Sequence, residues 1–179
     1  MTTINGVPAH VLFVHAVVVL VPLTSLALVA CAVWPSVMRR FGLALPVLAL
    51  VTLVSVPLTT SAGEWLEKQV PGNALVDRHT GLGDELLPWV ICLLVLAVAV
   101  WWFYRRAAVL SAGTASAGGQ AAVGMRLRVA AVVLAVVVAA GSIVQVYRIG
   151  DSGAKAAWQD RAVGVAGRPP FGEAGHDVS

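Results

Sequence analysis

The chain has 179 residues, 59% of them hydrophobic and only 12% charged, and a formal net charge of +3. Soluble domains sit nearer half apolar and a quarter charged, so this composition excludes an ordinary soluble domain. The arginines flank apolar runs instead of forming a basic patch, which argues against nucleic acid as a partner. The apolar residues fall in blocks of membrane-spanning length, too long and too uniformly apolar for the alternating strands of an outer-membrane barrel. The expected fold is therefore all-α: an integral membrane four-helix bundle over residues 1–158, followed by a disordered tail over 159–179.

Met1–Ala9 is a short polar start containing Gly6 and Pro8. The first predicted spanning helix covers about Val11–Val33. It begins near His10, carries Pro22 and is closed by Pro35. No Lys or Arg precedes Arg39, so the segment lacks the basic n-region of a signal peptide. Leu28-Val29-Ala30-Cys31 matches a lipoprotein cleavage box, which without a basic start reads as coincidence. The second helix, about Leu43–Thr60, holds Pro46 and Pro57, which predict bends and not breaks.

The next loop, Ser61–Glu85, is the richest in polar residues. Glu64-Trp65-Leu66-Glu67-Lys68 either continues the second helix or lies in the interface. Pro71-Gly72-Asn73 is a turn, and Ala74–Gly83 reads as a short helical lead into the third helix, about Leu86–Tyr104. That helix closes on Trp101-Trp102-Phe103-Tyr104-Arg105-Arg106, an aromatic anchor followed by a stop. Ser111–Gly124 is uncharged and rich in Ser, Ala, Thr and Gly, the composition of a flexible linker. The fourth helix covers about Val129–Tyr147. Its Ala131, Ala135 and Ala139 predict a small-residue packing face, with plain Ala/Val composition as the alternative. Arg148 and Asp151 are spaced to pair, and Arg148 can equally snorkel outward. Gly150 and Gly153 are expected to end the helix, with Asp151 or Ser152 capping a short interfacial helix to Trp158. Cys31 and Cys92 differ in depth by roughly 15 Å at helical rise, too far for a disulfide.

Arginine placement predicts the orientation. Arg39, Arg40, Arg105, Arg106, Arg126 and Arg128 flank the first and third loops. The second loop carries only Lys68 and Arg78 against five acids. The positive-inside rule puts the first and third loops in the cytoplasm, with both termini and the acidic loop extracytoplasmic. Tryptophans agree. Trp34, Trp101 and Trp102 fall at the inner interface, and Trp65, Trp89 and Trp158 at or near the outer one. This is the pattern of a multi-pass protein of the cell membrane.

With that threading, His10, His15, Glu64, Glu67, Asp77, His79, Asp84, Glu85 and Asp151 collect at the outer face. His15 is the sharpest residue, because ionisable groups inside a span usually face the bundle or a wet cavity. A plain hydrogen bond to a neighbouring helix is its structural alternative. His10 and His15 stand about 140° apart on a helix and cannot readily chelate one ion together. Imidazoles from the first helix and from His79 could ligate haem b or a transition metal, or His79 could relay protons with Asp84 or Glu85. No haem-attachment, His-x-x-x-His or cysteine-zinc motif fixes the choice, and His79 also reads as an exposed loop residue. The candidate cofactor residues are therefore His15, His79 and His10. The polar cluster is Glu64, Trp65, Asp84, Glu85, Arg148 and Asp151. No catalytic motif is present.

His10-Val11-Leu12-Phe13-Val14-His15 resembles the His-Pro-x-x-Val-His-Phe-Pro opening of the domain of unknown function 2231 family of predicted membrane proteins. Val11, Ala16 and Val17 depart from that pattern. Thr60-Ser61-Ala62-Gly63-Glu64-Trp65 is similar to the segment ending the family's second helix, and His79 stands where members often carry a His. The run from Tyr147 through Gly150-Asp151-Ser152-Gly153 to Trp158 looks like the closing motif of actinobacterial members. The resemblance covers about residues 6–158. It implies a four-helix bacterial membrane protein and supplies no activity.

The expected role is an accessory or structural membrane subunit that meets a membrane or extracytoplasmic protein through Glu64–Glu85. A haem- or metal-binding redox protein is the alternative. A small transporter ranks last, because four helices are few for alternating access unless a homo-oligomer supplies more.

Overall fold

The computed structural model describes residues 3–4, 7–67, 74–111 and 118–166. A two-residue antiparallel pairing of β1 (Thr3–Ile4) with β2 (Val7–Pro8) precedes a wholly helical body. The helices are α1 (Ala9–Val33), α2 (Pro35–Phe41), α3 (Ala44–Glu67), α4 (Ala74–Asp84), α5 (Leu86–Ser111) and α6 (Gly118–Ala166). Among the described residues, four helical stretches are long and apolar enough to cross a membrane: Leu12–Val33, Ala44–Trp65, Asp77–Ala107 and Gly124–Lys155. The third runs through the α4–α5 junction, where the Glu85 amide still reaches the Gly81 carbonyl at 3.4 Å. Helices are the form such runs must take, because lipid offers no hydrogen bonds to an unpaired backbone. Pro22 and Pro57 lie inside α1 and α3 without ending them.

The four long helices form a ring. α1 packs on α3 and α6, α3 on α5, and α5 on α6. Their directions alternate along the chain. The end of α1 meets the end of α5 through Tyr104, whose hydroxyl donates to the Ala32 carbonyl at 3.4 Å. It meets the start of α6 through Arg128, whose Nη2 donates to the Val33 carbonyl at 2.6 Å. Both bonds satisfy carbonyls that the last turn of α1 leaves without helical partners, and the guanidinium also suits that helix end's partial negative charge. α2 then turns the chain along this face. Pro35 supplies a pre-set φ at its first turn, and Met38 anchors it in the core while Arg39 and Arg40 remain exposed. Gly42 stops it at φ 50, with its amide on the Met38 carbonyl at 2.8 Å. On the same face Arg105 lies 5.3 Å from the Trp101 ring centroid, and Arg106 lies 4.9 Å from that of Trp102.

The interior mixes large aliphatics with small and hydroxylated residues. Leu28, Leu45, Leu93, Val21 and Val90 are fully buried, and Ala135 and Ala139 are buried on the face expected of α6. Thr24 and Thr52 are also fully buried and bond to each other at 2.7 Å across α1 and α3. The Thr52 hydroxyl donates to the Leu48 carbonyl at 2.9 Å, so Thr24 is the donor between the two. The outside is the more apolar surface, with Val19, Leu23, Leu26, Val47, Val95 and Val137 exposed.

Several local expectations are corrected, among them residues 118–124 of the expected linker and 159–166 of the expected tail, which are helical in α6. Gly150 and Gly153 do not end the fourth helix, since α6 runs through both to Ala166 and Ser152 caps nothing. Asp151 pairs with Lys155 at 2.6 Å, one turn ahead, and not with Arg148. The expected lead Ala74–Gly83 is helical, and Glu64–Glu67 continues α3. The Pro71-Gly72-Asn73 turn, Lys68, the first part of the expected linker (112–117) and residues 167–179 lie outside the described residues.

Candidate functional site

α4 has only 11 residues, too few for an isolated helix to persist, so contacts with its neighbours must hold it. It packs chiefly on α6. Its apolar anchor is Leu82, which is buried, while Asp77 and Arg78 face outward and His79 is half-buried.

Three polar side chains of α6 fasten α4 and the start of α5. The first is Gln145, buried in the last apolar turns. Its Nε2 donates to the Leu82 carbonyl at 3.1 Å and to Glu85 Oε2 at 3.1 Å. Its Oε1 accepts from Arg148 Nη1 at 3.3 Å. Both amide hydrogens and the amide oxygen are thus used, which fixes the orientation of the group. The second is Arg148, whose Nη1 also stands 3.9 Å from Glu85 Oε2, with both side chains more than half exposed. That pair is solvent-screened, and the Gln145 bonds inside it are the stronger tie. The third is Ser152, whose hydroxyl donates to the Ile149 carbonyl at 2.8 Å and lies 3.0 Å from His79 Nδ1. A hydroxyl has one proton. With that proton on Ile149, His79 donates from Nδ1 to Ser152; with the hydroxyl turned to the ring, Nδ1 accepts.

Two glycines let aromatic rings close on α6. A Cβ at Gly153 would lie 3.0 Å from His79 Cε1 and 3.3 Å from Nδ1, so the imidazole occupies the space a side chain would need. A Cβ at Gly141 would overlap the Trp89 ring outright. Trp89 is therefore a packing residue half-buried against the α6 backbone, more than a member of the interfacial belt. Beside the fastening lies a cleft of about 80 Å³ lined by Arg78, Leu82, Tyr147, Arg148, Asp151, Ser152 and Lys155.

The expected site residues divide clearly. Glu85, Arg148 and His79 belong to the hydrogen-bonded assembly, and Asp151 stands at its edge on the cleft. Glu64 and Trp65 are exposed at the end of α3, and Asp84 is exposed at the end of α4. His15 is exposed on α1, and His10 is the second residue of that helix. Among the described residues, no three His, Cys, Asp or Glu side chains are grouped so as to hold a metal ion. The assembly that does form lies between α4–α5 and α6, whereas the histidine spacing pointed to a site between the first and third spans. Arg78 and Lys155 are absent from the expected site residues, and so are Gln145, which the sequence shows only as part of a polar stripe ending the fourth helix, and Ser152, read only as a cap. Gln145 carried a usable signal, since an amide inside an otherwise apolar span demands a partner.

No curated protein and no solved structure matches the chain. A family model described as "Predicted membrane protein (DUF2231)" matches residues 6–167. That match covers nearly the whole chain, the four apolar helices agree with its description, and the chain belongs to this family of predicted membrane proteins.

Proposed function

We propose that this chain is an accessory or structural subunit of the cell membrane, and that the face built by α4 and the ends of α3 and α6 docks a membrane or extracytoplasmic protein. The observation that carries this reading is the fastening of α4. Gln145, Arg148 and Ser152 hold a short polar helix in one place, and it presents Asp77 and Asp84 as exposed acids. A pre-organised polar surface binds without the entropic cost of ordering a loop. Arginine and tryptophan placement supports an extracytoplasmic position for that surface. The redox and transporter alternatives draw no comparable support from the described residues.

In-cell photocrosslinking tests the reading. A photoreactive residue at Asp77 or Asp84 should give a discrete adduct with one other protein, whereas the same residue at Val137, exposed in mid-span, should give none. If Asp77 and Asp84 yield no protein adduct, or only one of doubled mass, the accessory role is wrong.

A further inference from the structure

We propose that the cleft between α4 and α6 binds the phosphate of an anionic phospholipid headgroup. The lining carries three cationic side chains, Arg78 from α4 and Arg148 and Lys155 from α6, against a single acid, Asp151. Lys155 neutralises that acid at 2.6 Å. Arg78 has no carboxylate within ion-pair distance among the described residues. Arg148 commits Nη1 to Gln145 and, at 3.9 Å, to the exposed Glu85 carboxylate, and retains its Nη2 and Nε donors. Two guanidinium forks flanking a small recess suit the oxygens of a phosphate, which they engage in pairs. A cleft of about 80 Å³ has room for a group of that size. The Ser152 hydroxyl is engaged with the Ile149 carbonyl and with His79.

Depth distinguishes lipid from free phosphate. The apolar run of α6 ends at Tyr147 and that of α5 begins at Leu86, so Arg148 stands at the edge of the hydrocarbon, with Arg78 and Lys155 about 12 Å farther out along their helices and able to reach back toward the headgroups. The cleft has an apolar floor in Leu82, 8% exposed, and an aromatic rim in Tyr147, 74% exposed. A tyrosine of that exposure beside a cationic recess fits the junction of headgroup and acyl chain. The proposal stands whether or not the same face docks a protein.

Native mass spectrometry of the full chain in an equal mixture of phosphatidylglycerol and phosphatidylcholine tests it, with thermal unfolding measured alongside. The wild type should retain phosphatidylglycerol preferentially. Arg78→Ala and Lys155→Ala should each weaken that retention about tenfold (~1.4 kcal/mol). The double variant should lose the preference, and Arg105→Ala, at the opposite face, should keep it. Should Arg78→Ala misfold, the exposed Lys155→Ala decides. Equal retention of both lipids by the wild type would overturn the proposal. So would a preference that survives in a folded double variant. Inorganic phosphate that stabilises the wild type as much as phosphatidylglycerol does would make the site a free-anion site and overturn the lipid assignment. None of these readouts depends on the crosslinking at Asp77 and Asp84, so the two proposals fail separately.

Discussion

Replacing Gly141 with alanine is the most discriminating test of the α5–α6 contact. The added Cβ would overlap Cζ3 and Cη2 of the Trp89 six-membered ring, which is flat, rigid and half-buried. The ring must move or the helices must separate. Overpacking of this kind costs about 1–3 kcal/mol. Alanine would otherwise favour a helix over glycine by ~1 kcal/mol, which offsets part of the cost. The expected net effect of Gly141→Ala therefore runs from near neutral to a loss of about 2 kcal/mol, read from reversible unfolding in mixed micelles followed by far-ultraviolet circular dichroism. In a Trp89→Ala background the obstacle is gone, and the same substitution should become neutral or stabilising by up to ~1 kcal/mol. The coupling between the two sites is then about 1–3 kcal/mol, within the range for residues in contact. If Gly141→Ala is as costly without Trp89 as with it, or stabilises the wild type, the steric reasoning is refuted.

The buried amide offers a second test. Gln145→Leu strips the Leu82 carbonyl and Glu85 of a donor and should cost about 1–3 kcal/mol, while Gln145→Glu should cost more by setting a carboxylate against both acceptors; denaturant unfolding of the two variants gives the ranking. In the α1–α3 interface, Thr24→Val or Thr52→Val alone should each destabilise by about 1 kcal/mol. The double substitution should cost less than the sum, since no hydroxyl is left unpaired; a double-mutant cycle checks this. For topology, Asp77→Cys in a background with Cys31 and Cys92 replaced by Ala should react with an impermeant maleimide on intact cells. Arg105→Cys in that background should react only after lysis, and the reverse pattern would invert the orientation.

The number and rough placement of the spans were legible because hydropathy accumulates along one dimension, and a run of about 20 apolar residues has few fates. The two arginine-rich loops were legible for the same reason. Which side of each helix faces inward was not. Leu23 is 49% exposed and Leu28 fully buried, yet both are leucines in the same helix, because lipid and core accept the same side chains. α2 was also hidden. Pro35 reads as the end of a helix, and only Met38 turning inward and Gly42 at positive φ reveal that it begins another. Partners posed the hardest problem. Local spacing offered Asp151 to Arg148, but Arg148 lies beside Glu85 once α4–α5 folds against α6, and Lys155 is left to take the acid. Sequence spacing ranks neighbours on one helix and cannot rank partners from another. Besides the amide of Gln145, glycine within the Ala/Val helix was a partial local clue to such a meeting: Gly141 and Gly153 each meet an aromatic ring from elsewhere, whereas Gly124 and Gly150 meet nothing.

The fastening of α4 also imposes an order of synthesis. Its acceptors, the Leu82 carbonyl and Glu85, precede their donor Gln145 by 63 and 60 residues, and His79 precedes Ser152 by 73. A nascent chain therefore carries α4 and α5 for the whole time it takes to make and insert the final span, with the Leu82 carbonyl and Glu85 waiting for Gln145. The polar face is finished last, and its presence certifies that the third and fourth spans have met.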